Sequence, residues 1–165
     1  MASDNIGSEP RDIARVWELM KSIGYAMLVT REEDKMRARP MAAFVERDDH
    51  AVYFLTDARH PVQDAVARSP VVNLSFADVG SHAYVSVSGT AISSNDRAKI
   101  RELFATPARA WWDNADDPNI RLLKITPEEA EFWDSPGAVV TYVKIAAAAV
   151  SGTRPTIGDK RKVAM

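Results

Sequence analysis

Cysteine is absent from the 165-residue sequence, which excludes disulfides, thiolate metal sites and thiol nucleophiles and leaves the redox compartment unread. Histidine is scarce: His50, His60 and His82 each stand beside a turn, with no second histidine at i+3 or i+4, so no metal site is expected. Long apolar runs are missing too. The longest apolar-leaning stretch, 138–150, is too short to span a bilayer and contains Lys144, so no membrane partner is expected. Charge of one sign does not dominate, and a formal net charge of −2 gives no electrostatic case for nucleic acid. Residues 1–10 are polar and lack the apolar core of a signal peptide, which makes a cytoplasmic location the default expectation. Gly80 and Gly89 belong to no phosphate-loop pattern, and no GxSxG elbow accompanies the serines. Asp113, Asp116 and Asp117 lack the glycine and closing glutamate of a calcium loop, and Glu128, Glu129 and Glu131 read as surface charge.

What remains is an ordinary soluble composition, 46% hydrophobic and 27% charged, long enough for one domain over 1–165 with a single core. Ser8-Glu9-Pro10 opens a helix whose stripe of Ile13, Val16, Trp17, Met20 and Ile23 ends near Gly24. Strands are predicted over 25–30, 36–46, 51–56, 70–77, 83–92, 122–126 and 130–134, the last two separated by the turn Pro127-Glu128-Glu129. Gly89 interrupts its strand, as at a bulge or a close backbone approach. Short helices are expected over 62–68 and 97–104, and a helical tail over 138–150. The ends, 1–9 and 153–165, are expected to be loose. Strands that do not alternate with helices argue for an α+β domain built on an antiparallel barrel of six to seven strands with peripheral helices.

Two features carry chemistry. Strands 36–46 and 51–56 flank the turn Arg47-Asp48-Asp49-His50, and Arg37 and Arg39 are two residues apart, so a strand points both to one face, with Pro40 next to them. Such a pair either receives an anion or is a solvated hairpin edge. Trp111, Trp112 and Trp133 lie near strand ends and loops, where an indole either stacks on a planar ligand or fills an interface. Together they suit a flat anionic ligand.

The order of segments resembles the FMN-binding split-barrel superfamily, typified by pyridoxamine 5′-phosphate oxidase, and within it the general-stress-protein branch. The resemblance runs over about residues 16–162. It is carried by Arg39-Pro40-Met41, Tyr53-Phe54-Leu55-Thr56, the 85–91 strand, Trp111-Trp112 with Asp117-Pro118, and Ala130-Glu131-Phe132-Trp133-Asp134. It implies a split barrel, a bound FMN or FAD, and a homodimer with the flavin between subunits. By position it implies flavin contacts from Arg39, Pro40, Met41, Leu55, Thr56, His60, Tyr84, Trp112 and Trp133, with Thr56 near the phosphate and Trp112 reaching the partner's cofactor. The sequence departs from the family at His60-Pro61-Val62, where the oxidase carries a serine–arginine–lysine step on the phosphate; Arg59 and Arg37 are the cations nearest in sequence. The oxidase's basic run for its phosphorylated substrate is replaced by Ser135-Pro136-Gly137, so pyridoxamine phosphate oxidation is not expected. The resemblance leaves three functions open: a flavin-dependent oxidoreductase or reductase in the general stress response, using NADH or NADPH; a non-enzymatic flavin carrier or sensor; and a cofactor-free barrel acting as an interaction protein. No residue is singled out as catalytic.

Overall fold

The computed structural model describes residues 10–104, 106–134 and 159–165. Helix α1 (Pro10–Ile23) starts on a proline, whose missing N–H falls among donors that have no partner inside a helix. It buries Val16, Trp17, Leu19 and Met20, and Gly24, at φ 70°, donates its N–H to the Met20 carbonyl and turns the chain out of the helix. Strands β1 (Tyr25–Glu32), β2 (Lys35–Ala42), β3 (Phe44–Glu46) and β4 (Ala51–Asp57) follow, then helix α2 (Val62–Arg68) and strands β5 (Val71–Asp78) and β6 (Ala83–Ser94). Helices α3 (Arg97–Leu103) and α4 (Thr106–Arg109) precede the long strand β7 (Ile120–Asp134) and the short β8 (Asp159–Ala164).

Every strand pair is antiparallel, in the order β2-β1-β5-β6-β7-β4-β3, with β8 on β7 beyond the end of β4. The two edge strands of this order, β2 and β3, are consecutive in the chain, joined through Ala43, whose N–H donates to the Gly24 carbonyl at 2.9 Å. The sheet therefore curls into a half-barrel. Val16, Met20, Leu28, Phe54, Leu74, Phe76 and Ile125 fill its inside. Alternation along β4 sends Val52 and Phe54 to that interior, while Ala51 and Tyr53 go to a second cluster outside the sheet with Ile100, Leu103, Ile120 and Leu122. Among the described residues no helix is long and apolar enough to cross a membrane.

Several sequence expectations need correction. The stretch 36–46 is not one strand and β2 does not pair with β4: its register is with β1, Arg39 opposite Leu28 and Pro40 opposite Met27, and the hairpin around Arg47–His50 joins β3 to β4. Pro40 does sit on an edge strand, where a missing donor is tolerated, and Ala43 separates β2 from β3. Pro127-Glu128-Glu129 is not a turn between strands. β7 runs through it, because Gly89 faces Pro127 and Ser88 faces Glu129, which leaves Glu128 as the extra residue of a bulge. The close approach expected at Gly89 is present. Residues 159–164, expected to be loose, form β8 through backbone pairing with β7. The helical tail expected over 138–150 and the capping Ser8 lie outside the described residues.

Candidate functional site

The residues singled out from the sequence fall into separate places. Arg37, Arg39 and Met41 share the inner face of β2. The Arg39 guanidinium donates to the Oγ1 of buried Thr30 at 2.9 Å and pairs with Glu32, which Arg37 also approaches at 3.7 Å. The pair shares a face as expected, but one carboxylate sits between the two cations. Pro40 points to the other side with Ala38 and Ala42. Adjacent positions on a strand face opposite ways, so Leu55 lies against the outer cluster, while Thr56 is buried on the inner side.

The start of α2 is closed upon itself. The His60 imidazole accepts from the Val62 N–H at 3.2 Å, the His60 carbonyl accepts from the Gln63 N–H at 3.0 Å, and the Pro61 carbonyl accepts from Ala65. Val62 is fully buried in the barrel core, which explains an apolar residue at a position where the oxidase has a cation. Arg59, the nearest cation in sequence, forms a bidentate pair with Asp57, and its side-chain and backbone hydrogen bonds hold the Asp57 carboxyl well below the usual carboxylate range.

Tyr84 on β6 and Trp133 on β7 are direct cross-strand partners, and Lys160 of β8 stands 5.6 Å over the Trp133 ring. Leu55 pairs with Leu122 at the opposite end of β7. At about 3.3 Å per residue the two ends of that strand are roughly 30 Å or more apart. One chain therefore does not bring Tyr84 and Trp133 to the same ligand as Leu55.

Trp112 packs on the outer cluster and, with Trp111, closes a pocket of about 320 Å³ lined also by Tyr25, Ala42, Phe44 and Leu55. Trp111 is 81% exposed at its lip. Sequence reasoning singled out Leu55 and Trp112 here and missed Tyr25 and Phe44, whose proximity depends on the edge strands meeting at Ala43. Apart from the Tyr25 phenol, the lining side chains named here carry no ionisable group, so the pocket suits a flat, largely apolar ligand held by stacking. A second, polar cleft of about 620 Å³ lies between the β1–β2 turn and α2 and includes Arg37 and Pro61. Among the described residues no group of three or more His, Cys, Asp or Glu is placed to hold a metal.

A half-barrel closed through consecutive edge strands, with an aromatic pocket on its outer surface, defines a split-barrel protein. A family model described as pyridoxamine 5′-phosphate oxidase like matches residues 11–156, and the chain belongs to that family. General stress protein 26 of Bacillus subtilis (strain 168) is 28% identical over 115 residues, which cover 66% of this chain and 78% of that protein. The structure of a candidate general stress protein 26 from Jannaschia sp. CCS1 superposes with a TM-score of 0.76 at 26% identity, covering 94% of this chain and 99% of that one. The general stress FMN/FAD binding protein from Xanthomonas citri gives a TM-score of 0.67 at 25% identity, covering 75% of this chain and 89% of the other.

Proposed function

We propose that this chain binds a flavin, FMN or FAD, and works as a flavin-dependent oxidoreductase or reductase in the general stress response, with NADH or NADPH as electron donor. The pocket of Tyr25, Phe44, Leu55, Trp111 and Trp112 carries the reading: its aromatic, nearly uncharged lining fits the tricyclic ring. The phosphate end fits less well, since the His60–Val62 step offers no cation and its first amide is capped by the His60 ring. A bound flavin would supply electron transfer, while the protein's part is to orient the ring, exclude water from its face and admit the donor. The absence of any acid or base among those pocket residues other than the Tyr25 phenol accords with a site in which the protein moves no proton. That the Xanthomonas citri relative is described as FMN/FAD binding supports the cofactor.

The reading includes a homodimer: Tyr84 and Trp133, flavin contacts by the family resemblance, lie too far along β7 to join the pocket of their own chain, and a second copy would bring them to it. The outer face of β2, β1, β5 and β6 suits such a neighbour: Ala38, Pro40 and Ala42 beside Tyr25, Met27 and Val29, then Asn73, Ser75 and Ser86, with no charge among them.

The test is the absorbance of FMN-saturated protein after desalting, read with its mass by light scattering. Retained flavin on a dimer is the expected result, and Trp111→Ala should weaken flavin binding without lowering the melting temperature. No retained flavin and no measurable binding would refute the reading. Steady NADH or NADPH oxidation separates an enzyme from a carrier.

A further inference from the structure

We infer that Arg97 is a positioning residue for the Trp111–Trp112 pocket: from α3 it holds the loop that presents the two indoles. This assignment rests on the proposed flavin pocket. The pocket has two halves. Tyr25, Ala42, Phe44 and Leu55 come from β1 to β4, whose places are set by strand ladders and the link at Ala43. The other half, from Pro107 to Trp112, comes from α4 and the start of the loop that runs on to β7, and among the described residues no ladder reaches it. Its upstream end is seated by buried Ala108, whose carbonyl accepts from the Trp111 N–H at 3.0 Å and the Trp112 N–H at 3.1 Å. Its downstream end needs a separate anchor.

Arg97 supplies it. Its Nη2 donates to the Ala115 carbonyl at 2.6 Å and the Asp117 carbonyl at 3.0 Å, and its Nη1 donates to Asn95 Oδ1 at 3.1 Å and the Ile120 carbonyl at 3.4 Å. These acceptors account for every Nη hydrogen, so the guanidinium is a fixture of the loop and not a cation awaiting an anionic ligand. Helix α3 is itself tied to the sheet. Lys99 Nζ bridges Asp49 at 2.9 Å and Glu102 at 2.8 Å, and stands 5.0 Å over the ring of Tyr53 on β4. Trp112 packs on the cluster that holds Ile100 and Leu103 of α3. One frame therefore runs from β4, which carries Leu55, through α3 to the tryptophan segment. Arg101 also reaches the loop, through an exposed pair with Asp116 at 2.8 Å, but solvent screens such a pair. A lysine in place of Arg97 would gather its donors on one flexible nitrogen and lose the planar fork that spreads across these carbonyls.

The test is titration of the full chain with FMN, together with acrylamide quenching of tryptophan emission in the ligand-free protein. Arg97→Ala and Arg97→Lys are each expected to bind FMN roughly tenfold more weakly, and Arg101→Ala to stay within about twofold of the parent. Both Arg97 variants should show stronger quenching, and Arg101→Ala should not. In a Trp111→Ala background the Arg97→Ala change should cost far less affinity than in the parent, because it acts through the indoles. Millimolar guanidinium, far below a denaturing concentration, should restore FMN binding to Arg97→Ala. Parental FMN affinity in both Arg97 variants, or strictly additive losses from Arg97→Ala and Trp111→Ala, would overturn the inference. If Arg97→Ala does not fold, Arg97→Lys decides by the same two measurements. If the parent binds no FMN, the flavin reading falls and quenching alone decides for Arg97. Stronger quenching in its variants than in Arg101→Ala then upholds its hold on the indoles, and equal quenching overturns it.

Discussion

Replacing Gly89 by alanine should damage this fold more than any other single methyl group added to β6. A Cβ built at Gly89 would lie 2.2 Å from the Thr126 carbonyl oxygen, 3.0 Å from its carbon and 3.1 Å from Pro127 Cα. All three obstacles are backbone, so no side chain can rotate away, and β6 and β7 must part by about an ångström at their bulge. Overpacking of this kind costs about 1–3 kcal/mol. Loosening one or two flanking ladder bonds adds about 0.5–1.5 kcal/mol each. A total of roughly 3–4 kcal/mol corresponds to a fall in melting temperature of roughly 6–16 °C for a chain of this size. Urea unfolding followed by circular dichroism gives the midpoint and slope, with Ser88→Ala, exposed one residue earlier, as the control. If Gly89→Ala unfolds within about 0.5 kcal/mol of the parent at an unchanged slope, the bulge is not the tight backbone approach described here.

Three further outcomes are expected. Asp96 caps α3 by accepting from the Lys99 N–H at 3.0 Å, so Asp96→Ala should cost about 0.5–2 kcal/mol in denaturant unfolding. Arg39→Leu strips the one side-chain partner that the buried Thr30 hydroxyl has among the described residues and should cost about 1–3 kcal/mol, with Thr30→Val in the same background restoring part of the loss; strict additivity of the two changes would refute the coupling. Burial, reinforced by its hydrogen bond to Asp49, pushes the Tyr53 phenol up to about 12 from an ordinary value of 10. A raised folded value means that this stability is fully present below pH 10 and is lost as pH rises through about 12, so Tyr53→Phe should flatten the alkaline limb of a stability–pH curve.

Much of the scaffold was legible in local chemistry. The extent of α2 follows from Pro61 and from the apolar spacing of Val62, Ala65 and Val66, and α3 from its Asp96 cap. Gly89 was legible because a glycine inside an alternating strand marks a bulge or a close backbone approach, and here both are present. Pairing was less legible. Pro127-Glu128-Glu129 has turn composition, yet the β6 ladder and the Glu128 carbonyl, which accepts from the Met165 N–H, hold it in β7. The partner of β2 depends on where the curled sheet returns, which no window of sequence contains. The same holds for the candidate site: Arg39, Leu55, His60 and Trp133 were each identifiable as types at positions, but Glu32 beside Arg39, the self-capped His60 and the length of β7 between Leu122 and Trp133 are properties of register.

The step from Ala42 to Phe44 has a topological meaning beyond its local geometry. Because β2 and β3 are the two margins of the sheet and also neighbours in the chain, the barrel is closed by a covalent clasp at Ala43 where no hydrogen-bonded ladder joins them. Cutting or lengthening the chain there would release the two margins, which no ladder holds together, to move apart. An equal insertion between Arg47 and His50 would lengthen a loop and leave the ring shut.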